Sequence, residues 1–193
     1  MMKIWISGTI AICCLLLTAC ASSAFFPMPT SVVKVDDTFA IIRTDSLLVV
    51  VRPEKAMLDS QILSRNYFAI FVQIKNLSPK TISLKNTSVA VVADGFQFDP
   101  LPLDYLLKLL RLEQMTTQTD DPFNHKSSMV SIEEQQDAYV TLMRSYLVIS
   151  DLMPNSTMGG YIFFANSIKG ASEFILHLGQ WNILYERRQK NNN

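Results

Sequence analysis

The chain has 193 residues, with 17 Lys+Arg against 17 Asp+Glu, three Cys, two His and 49% hydrophobic residues. That length suits one domain with ample apolar content for a core, and a charged fraction of 18% beside 11 Phe and 6 Tyr excludes wholesale disorder. Zero net charge argues against a nucleic-acid partner, because no basic excess exists to displace counterions from phosphates; three Cys and two His do not supply a structural zinc site.

Residues 1–19 read as a secretory signal: Lys3 is the only charge before Lys34, and an apolar run from Ile4 to Leu17 is broken only by Ser7, Gly8 and Thr9. A spanning helix needs about 20 apolar residues, and this run is shorter. The segment closes on Leu17-Thr18-Ala19-Cys20, which resembles the lipobox of bacterial lipoproteins. The resemblance implies a diacylglyceryl group on the Cys20 sulfur, cleavage before Cys20, and a mature chain held to a membrane by its acyl chains. Cys13 and Cys14 then leave with the signal, so no free thiol or disulfide remains. Ala21 and Ser22, with no Asp after the lipidated Cys, imply the outer membrane facing the periplasm by the enterobacterial sorting pattern.

Residues 20–37 read as the lipidated Cys and a tether, with Ser22, Ser23, Pro27 and Pro29 breaking regular structure. Phe25 and Phe26 suit either the lipid interface or the domain core. The folded domain is expected over 38–186, opening with strands at Thr38–Arg43 and Leu47–Arg52 around the turn Thr44-Asp45-Ser46. Pro53–Asn66 reads as a crossing loop with a helical turn near Met57. In Tyr67–Lys75, Phe68, Ile70, Val72 and Ile74 share one face, the period of a strand. Short strands are expected at Thr81–Leu84 and Ser88–Ala93, then an Asp94-Gly95 turn from which Phe96 and Phe98 alternate. Closely spaced strands and turns predict a β-sandwich rather than an α/β sheet.

The middle of the chain changes period. Leu103, Leu106, Leu107 and Leu110 lie at helical spacing, 115–128 reads as a polar loop, and Ser131-Ile132-Glu133-Glu134 resembles a capping box that starts a helix running to about Val148. This pair of helices is expected either to pack on the sandwich or to leave an apolar groove for a partner helix, a peptide or an acyl chain. Strands return at Tyr161–Ala165, Glu173–Leu178 and Trp181–Tyr185, with 187–193 expected as a frayed polar tail.

Phe68-Ala69-Ile70-Phe71-Val72-Gln73-Ile74-Lys75-Asn76 resembles the strand-then-Asn turn of immunoglobulin-like accessory domains of exported proteins. Leu152-Met153-Pro154-Asn155 followed by Gly160-Tyr161-Ile162-Phe163-Phe164 is similar to a late strand of those domains. The fold class expected is therefore mainly β: an immunoglobulin-like β-sandwich with an inserted helical pair at about 101–150. No functional residue transfers with this resemblance.

The residues offer little catalytic chemistry. His177 falls on the polar side of its strand, and His125 sits among Asp120, Asp121, Asn124 and Ser127 in a loop whose composition suits solvation. No Gly-x-Ser-x-Gly elbow and no phosphate-cradling loop occurs, and Asp120-Asp121 and Glu133-Glu134 are adjacent rather than opposed across a scissile bond. No catalytic, cofactor or metal residue is therefore expected, and Cys20 is the single assigned site. The function expected is a lipid-anchored binding or assembly module for an envelope protein partner. The rivals are a lipid- or small-ligand-binding lipoprotein with a cavity at Leu106, Leu110, Leu142 and Tyr146, and a hydrolase using His125 and nearby acids.

Overall fold

The computed structural model describes residues 23–53, 60–117 and 132–189. Cys20 and His125, and with them the expected signal and residues 118–128 of the expected polar loop, lie outside the described residues, whereas residues 115–117, expected in that loop, are helical.

Among the described residues, the alternation of apolar side chains builds twelve strands: β1 (Ser23–Pro27), β2 (Val33–Asp36), β3 (Phe39–Arg43), β4 (Leu47–Pro53), β5 (Tyr67–Asn76), β6 (Ile82–Ser83), β7 (Val89–Ala93), β8 (Phe96–Phe98), β9 (Asp151–Leu152), β10 (Thr157–Ala165), β11 (Glu173–Leu178) and β12 (Trp181–Gln189). One antiparallel sheet has the order β1-β12-β11-β7-β8 and a second has β10-β5-β4-β3-β2, while β6 and β9 form a separate small pair. Three helices, α1 (Gln61–Asn66), α2 (Leu103–Thr117) and α3 (Ile132–Ser145), complete the described residues with one 3-10 turn, Asn166–Gly170. The chain is mainly β, as its alternation predicts.

The two five-stranded sheets face each other across one core. Phe68, Ile70, Val72 and Ile74 of β5 meet Phe174, Leu176 and Leu178 of β11, all buried in a single cluster. Aromatic edges tie the layers: Phe25 lies 5.9 Å from Phe68 and 4.9 Å from Phe174, both edge-on. The Tyr185 hydroxyl crosses from β12 to donate to the Val51 carbonyl of β4 at 3.2 Å.

A second core lies on the outer face of β5 and β10, where alternation alone predicts solvent. Tyr67, Ala69, Tyr161 and Phe163 are buried there against Ile62 and Leu63 of α1, Leu106 and Leu110 of α2, and Ala138 and Leu142 of α3. The domain thus has three layers, helices on sheet on sheet. Burial of one leucine such as Leu106 or Leu142, both at 0% exposure, contributes about 1.5–3 kcal/mol to this docking.

The insertion also closes an edge. β10 pairs with β5 on one side only, and on its other side Leu101 donates to the Phe163 carbonyl at 2.8 Å and Leu147 to the Tyr161 carbonyl at 2.9 Å. The residues entering and leaving the helical pair therefore occupy backbone groups that an open edge would offer to another chain. The Tyr146 hydroxyl donates to the Leu101 carbonyl at 3.2 Å, tying entrance to exit. Burial, then the nearby Asp104 carboxylate, pushes the Tyr146 phenol up.

Several segments differ from the sequence reading. The expected tether contributes β1 and β2, because Phe25 docks in the sandwich core and Ser23–Pro27 finds a ladder against β12, Ser23 opposite Gln189 and Pro27 opposite Tyr185. The same pairing extends β12 to Gln189, so Arg187, Arg188 and Gln189 are strand residues where a frayed tail was expected. α3 ends at Ser145 rather than Val148, because Tyr146 turns into a parallel bridge with Tyr161. Between Pro53 and Asn66 the helical turn is α1, capped by the Ser60 hydroxyl accepting from the Leu63 amide at 3.3 Å; Met57 lies outside the described residues.

Candidate functional site

The strand registers sort the loops of the sandwich into two ends. At one end lie the start of β1, the end of β12, the start of β11, the 3-10 turn and α1. The opposite end gathers the β3–β4 turn, residues 77–88, the β9–β10 turn and Gly179-Gln180. Strand β5, ten residues long, sets the separation of the two ends at about 30 Å.

A cleft of about 300 Å³ opens at the second end. Its floor is apolar, made of Leu47, Ile74, Leu84 and Leu178, the ends of three core strands and the residue after β6. Its rim carries Ser83, Asn86, Thr87 and Gln180, and Trp181 stands at the start of β12 with its ring partly buried against the core. Every lining residue is uncharged.

Local chemistry fixes that rim. Gly179 turns the chain with φ +59, its amide donating to the Ser88 carbonyl at 2.8 Å. A Cβ there would be strained by the left-handed backbone and would meet the Thr87 methyl at 3.4 Å. Asn76, fully buried, holds the neighbouring turn: its amide donates to the carbonyls of Lys80, Leu152 and Met153 at 2.7, 3.0 and 3.1 Å, and its oxygen accepts from the Ser78 amide at 2.8 Å. Beside the cleft, hydrogen bonds from Lys85 and Ser83, each 2.7 Å, hold the Asp151 carboxyl below its ordinary range.

The helical pair has its own smaller opening, about 280 Å³, lined by Leu110, Arg111, Ile132, Gln135, Gln136 and Tyr139. It lies beside residues outside the described part of the chain. Of the four residues expected to wall a ligand cavity, Leu106, Leu110 and Leu142 are buried in the helix–sheet core and Tyr146 packs against it.

His177 stands half-exposed on β11, as its place in the alternation predicts, with Nδ1 2.6 Å from the Asn182 oxygen across the hairpin. Among the described residues no cluster of three or more His, Cys, Asp or Glu could hold a metal ion, and no helix is long and apolar enough to cross a membrane. Asn86-Thr87-Ser88 and Gly179-Gln180 are turn-type stretches far apart in the chain. Sequence reasoning did not find that they converge with Trp181, since no local pattern records which turns share an end.

No protein-family model and no curated protein matches this chain. Among solved structures it is similar to a conserved hypothetical protein from Bacillus anthracis. The two share 9% sequence identity, with 84% of this chain and 96% of that chain covered and a TM-score of 0.34.

Proposed function

We propose that the protein is a lipid-anchored binding module of the bacterial envelope, held through Cys20 at the outer membrane facing the periplasm, with an immunoglobulin-like domain engaging a protein partner. The observation that carries this reading is the position of β1. Its first residue, Ser23, follows Cys20 after only Ala21 and Ser22, a reach of about 10 Å from the acylated residue. An anchor there sets the β1 end of the sandwich against the bilayer and turns the cleft end away from it by about 30 Å.

The strand order supports the immunoglobulin-like assignment. β4-β5-β10 in one sheet and β8-β7-β11-β12 in the other follow the A-B-E and C′-C-F-G succession of such domains, with the backbones of Leu101 and Leu147, which flank α2 and α3, standing at the β10 edge where the D strand would lie beside E. The cleft then falls at the end where the B–C and F–G loops meet, the end that variable domains use for recognition. Two short outer strands of the sheets, β2 and β8, supply further backbone edges for a partner.

The test is metabolic labelling with a fatty acid in bacterial cells. Label is expected in the wild type and not in Cys20→Ala, and equal labelling of both would overturn the anchor. Photo-crosslinkers at Asn86 and at Arg188 then separate the two ends: a protein crosslinked from Asn86 and lost in Cys20→Ala supports the partner reading. Lipid adducts at both positions with no protein overturn it.

A further inference from the structure

We propose that the cleft at the Asn86–Trp181 end is a binding site for an uncharged oligosaccharide, of the amide-bearing, polyhydroxylated kind. This goes beyond the anchored protein-binding reading and stands whether or not Cys20 carries lipid.

The chemistry of the lining selects the ligand. A charged ligand, peptide terminus or phosphate needs an opposite charge in its site, and every residue lining this cleft is neutral. The nearest ion pair, Lys85 with Asp151 at 2.7 Å, is closed on itself. An extended peptide docks by adding to an open strand edge. Of the strands that reach this cleft, β4, β5 and β11 are flanked by neighbours on both sides, and the sides left open, on the two residues of β6 and on Trp181–Ile183 of β12, are too short for a ladder of strand length. A purely apolar ligand would leave the rim's polar groups facing hydrocarbon without partners.

A sugar ring answers each feature. It has an apolar face of C–H groups that rests on an aromatic ring, and hydroxyl or acetamido groups around its edge. Trp181 supplies the ring, and Leu84 and Leu178 extend the apolar floor. Asn86, Thr87 and Gln180 supply amide and hydroxyl groups. Their side chains make no hydrogen bond among the described residues. About 300 Å³ is the lower end of the range for small-ligand sites and suits one or two sugar rings. The rim is also preset: the Gly179 amide bonded to the Ser88 carbonyl ties the segments carrying Thr87 and Gln180 together before any ligand arrives, which lowers the ordering cost of binding.

Trp5 and Trp181 are the only tryptophans, so Trp5→Phe in the full chain leaves Trp181 as the sole tryptophan, excited selectively over the tyrosines at the red edge of the absorption band. N-acetylglucosamine oligomers are titrated into that protein in detergent, and Trp181 fluorescence is followed. A saturable blue shift is expected, and Asn86→Ala and Gln180→Ala should each weaken it by about fivefold. Lys34→Ala, on the exposed edge strand β2, should leave it unchanged. Far-UV circular dichroism identical to the parent identifies the two cleft variants as folded. No saturable change up to about 10 mM glycan overturns the proposal, as does a saturable change given by octanoate or by a neutral peptide but not by the glycan. Failure here with fatty-acid labelling intact would leave the anchor standing.

Discussion

The Asn76 side-chain amide lies 3.0 Å from the carbonyl oxygen of Leu152, joining residues 76 positions apart in the chain. The same nitrogen serves the Lys80 and Met153 carbonyls, so one buried side chain holds the end of β5, the turn after it and the chain leading into β10. Asn is suited to this role because its amide offers donors to carbonyls on one side while its oxygen accepts from the Ser78 amide on the other.

Asn76→Ala is expected to lower stability by about 3 kcal/mol, since it strands several buried polar groups at once. Urea denaturation checks it. A loss under about 1 kcal/mol would mean that water replaces these bonds freely.

At Gly160 the helical insertion comes close against the sheet backbone. A Cβ there would come within 2.6 Å of the Ser145 carbonyl oxygen and 3.0 Å of the Leu147 amide nitrogen, both backbone atoms. Gly160→Ala should cost about 2 kcal/mol by forcing the exit of α3 away from β10. Hydrogen exchange at Leu147, whose amide bonds to Tyr161, should quicken. Gly159→Ala is the control, because its nearest contacts at 3.5 Å are ordinary ones.

Neighbouring residues on α3 should respond oppositely. Leu142 is at 0% exposure and Met143 at 50%. Leu142→Ala should cost about 3 kcal/mol through the cavity it leaves, and Met143→Ala should stay within about 0.5 kcal/mol. Equal costs in thermal or urea unfolding would refute the docking of α3 on β5 and β10.

Alkaline pH should weaken the fold. Burial pushes the Tyr185 phenol far above its ordinary range, whereas in the unfolded chain it titrates near pH 10. Above that pH the unfolded state releases a proton that the folded state retains, so stability is complete below about pH 10 and falls as pH rises. The raised Tyr146 phenol acts in the same direction. Tyr185→Phe removes the hydroxyl that donates to Val51, costing about 1 kcal/mol at neutral pH. Its urea midpoint should then fall less steeply than that of the wild type between about pH 9 and 11.

Much of the sandwich is legible in the chain. Phe174, Leu176 and Leu178 announce a half-buried strand by alternation alone, and Glu173–Leu178 is the strand found. Asp94-Gly95 announces its turn because both residues adopt positive φ, +51 and +78. Asn155, at φ +58, does the same before β10. Ser23–Pro27 is not legible: two prolines and two serines nearby read as tether. Only the distant β12 supplies its hydrogen-bond partners, and only Phe68 and Phe174 supply a place for Phe25.

Local pattern in the chain reveals which segments alternate with period two, which repeat at helical spacing, and where a lipobox-like Cys20 stands. Those are local properties, set by backbone geometry and by the neighbours of each residue in the chain. Tertiary structure alone decided that α2 and α3 cover the outer face of β5 and β10, that the N-terminal strand closes on the C-terminal one, and that Leu47, Leu84, Leu178 and Trp181 meet at one cleft. These meetings depend on which strands pair and in what register. That choice is made by burial summed over the whole domain, so no single stretch of the chain encodes it.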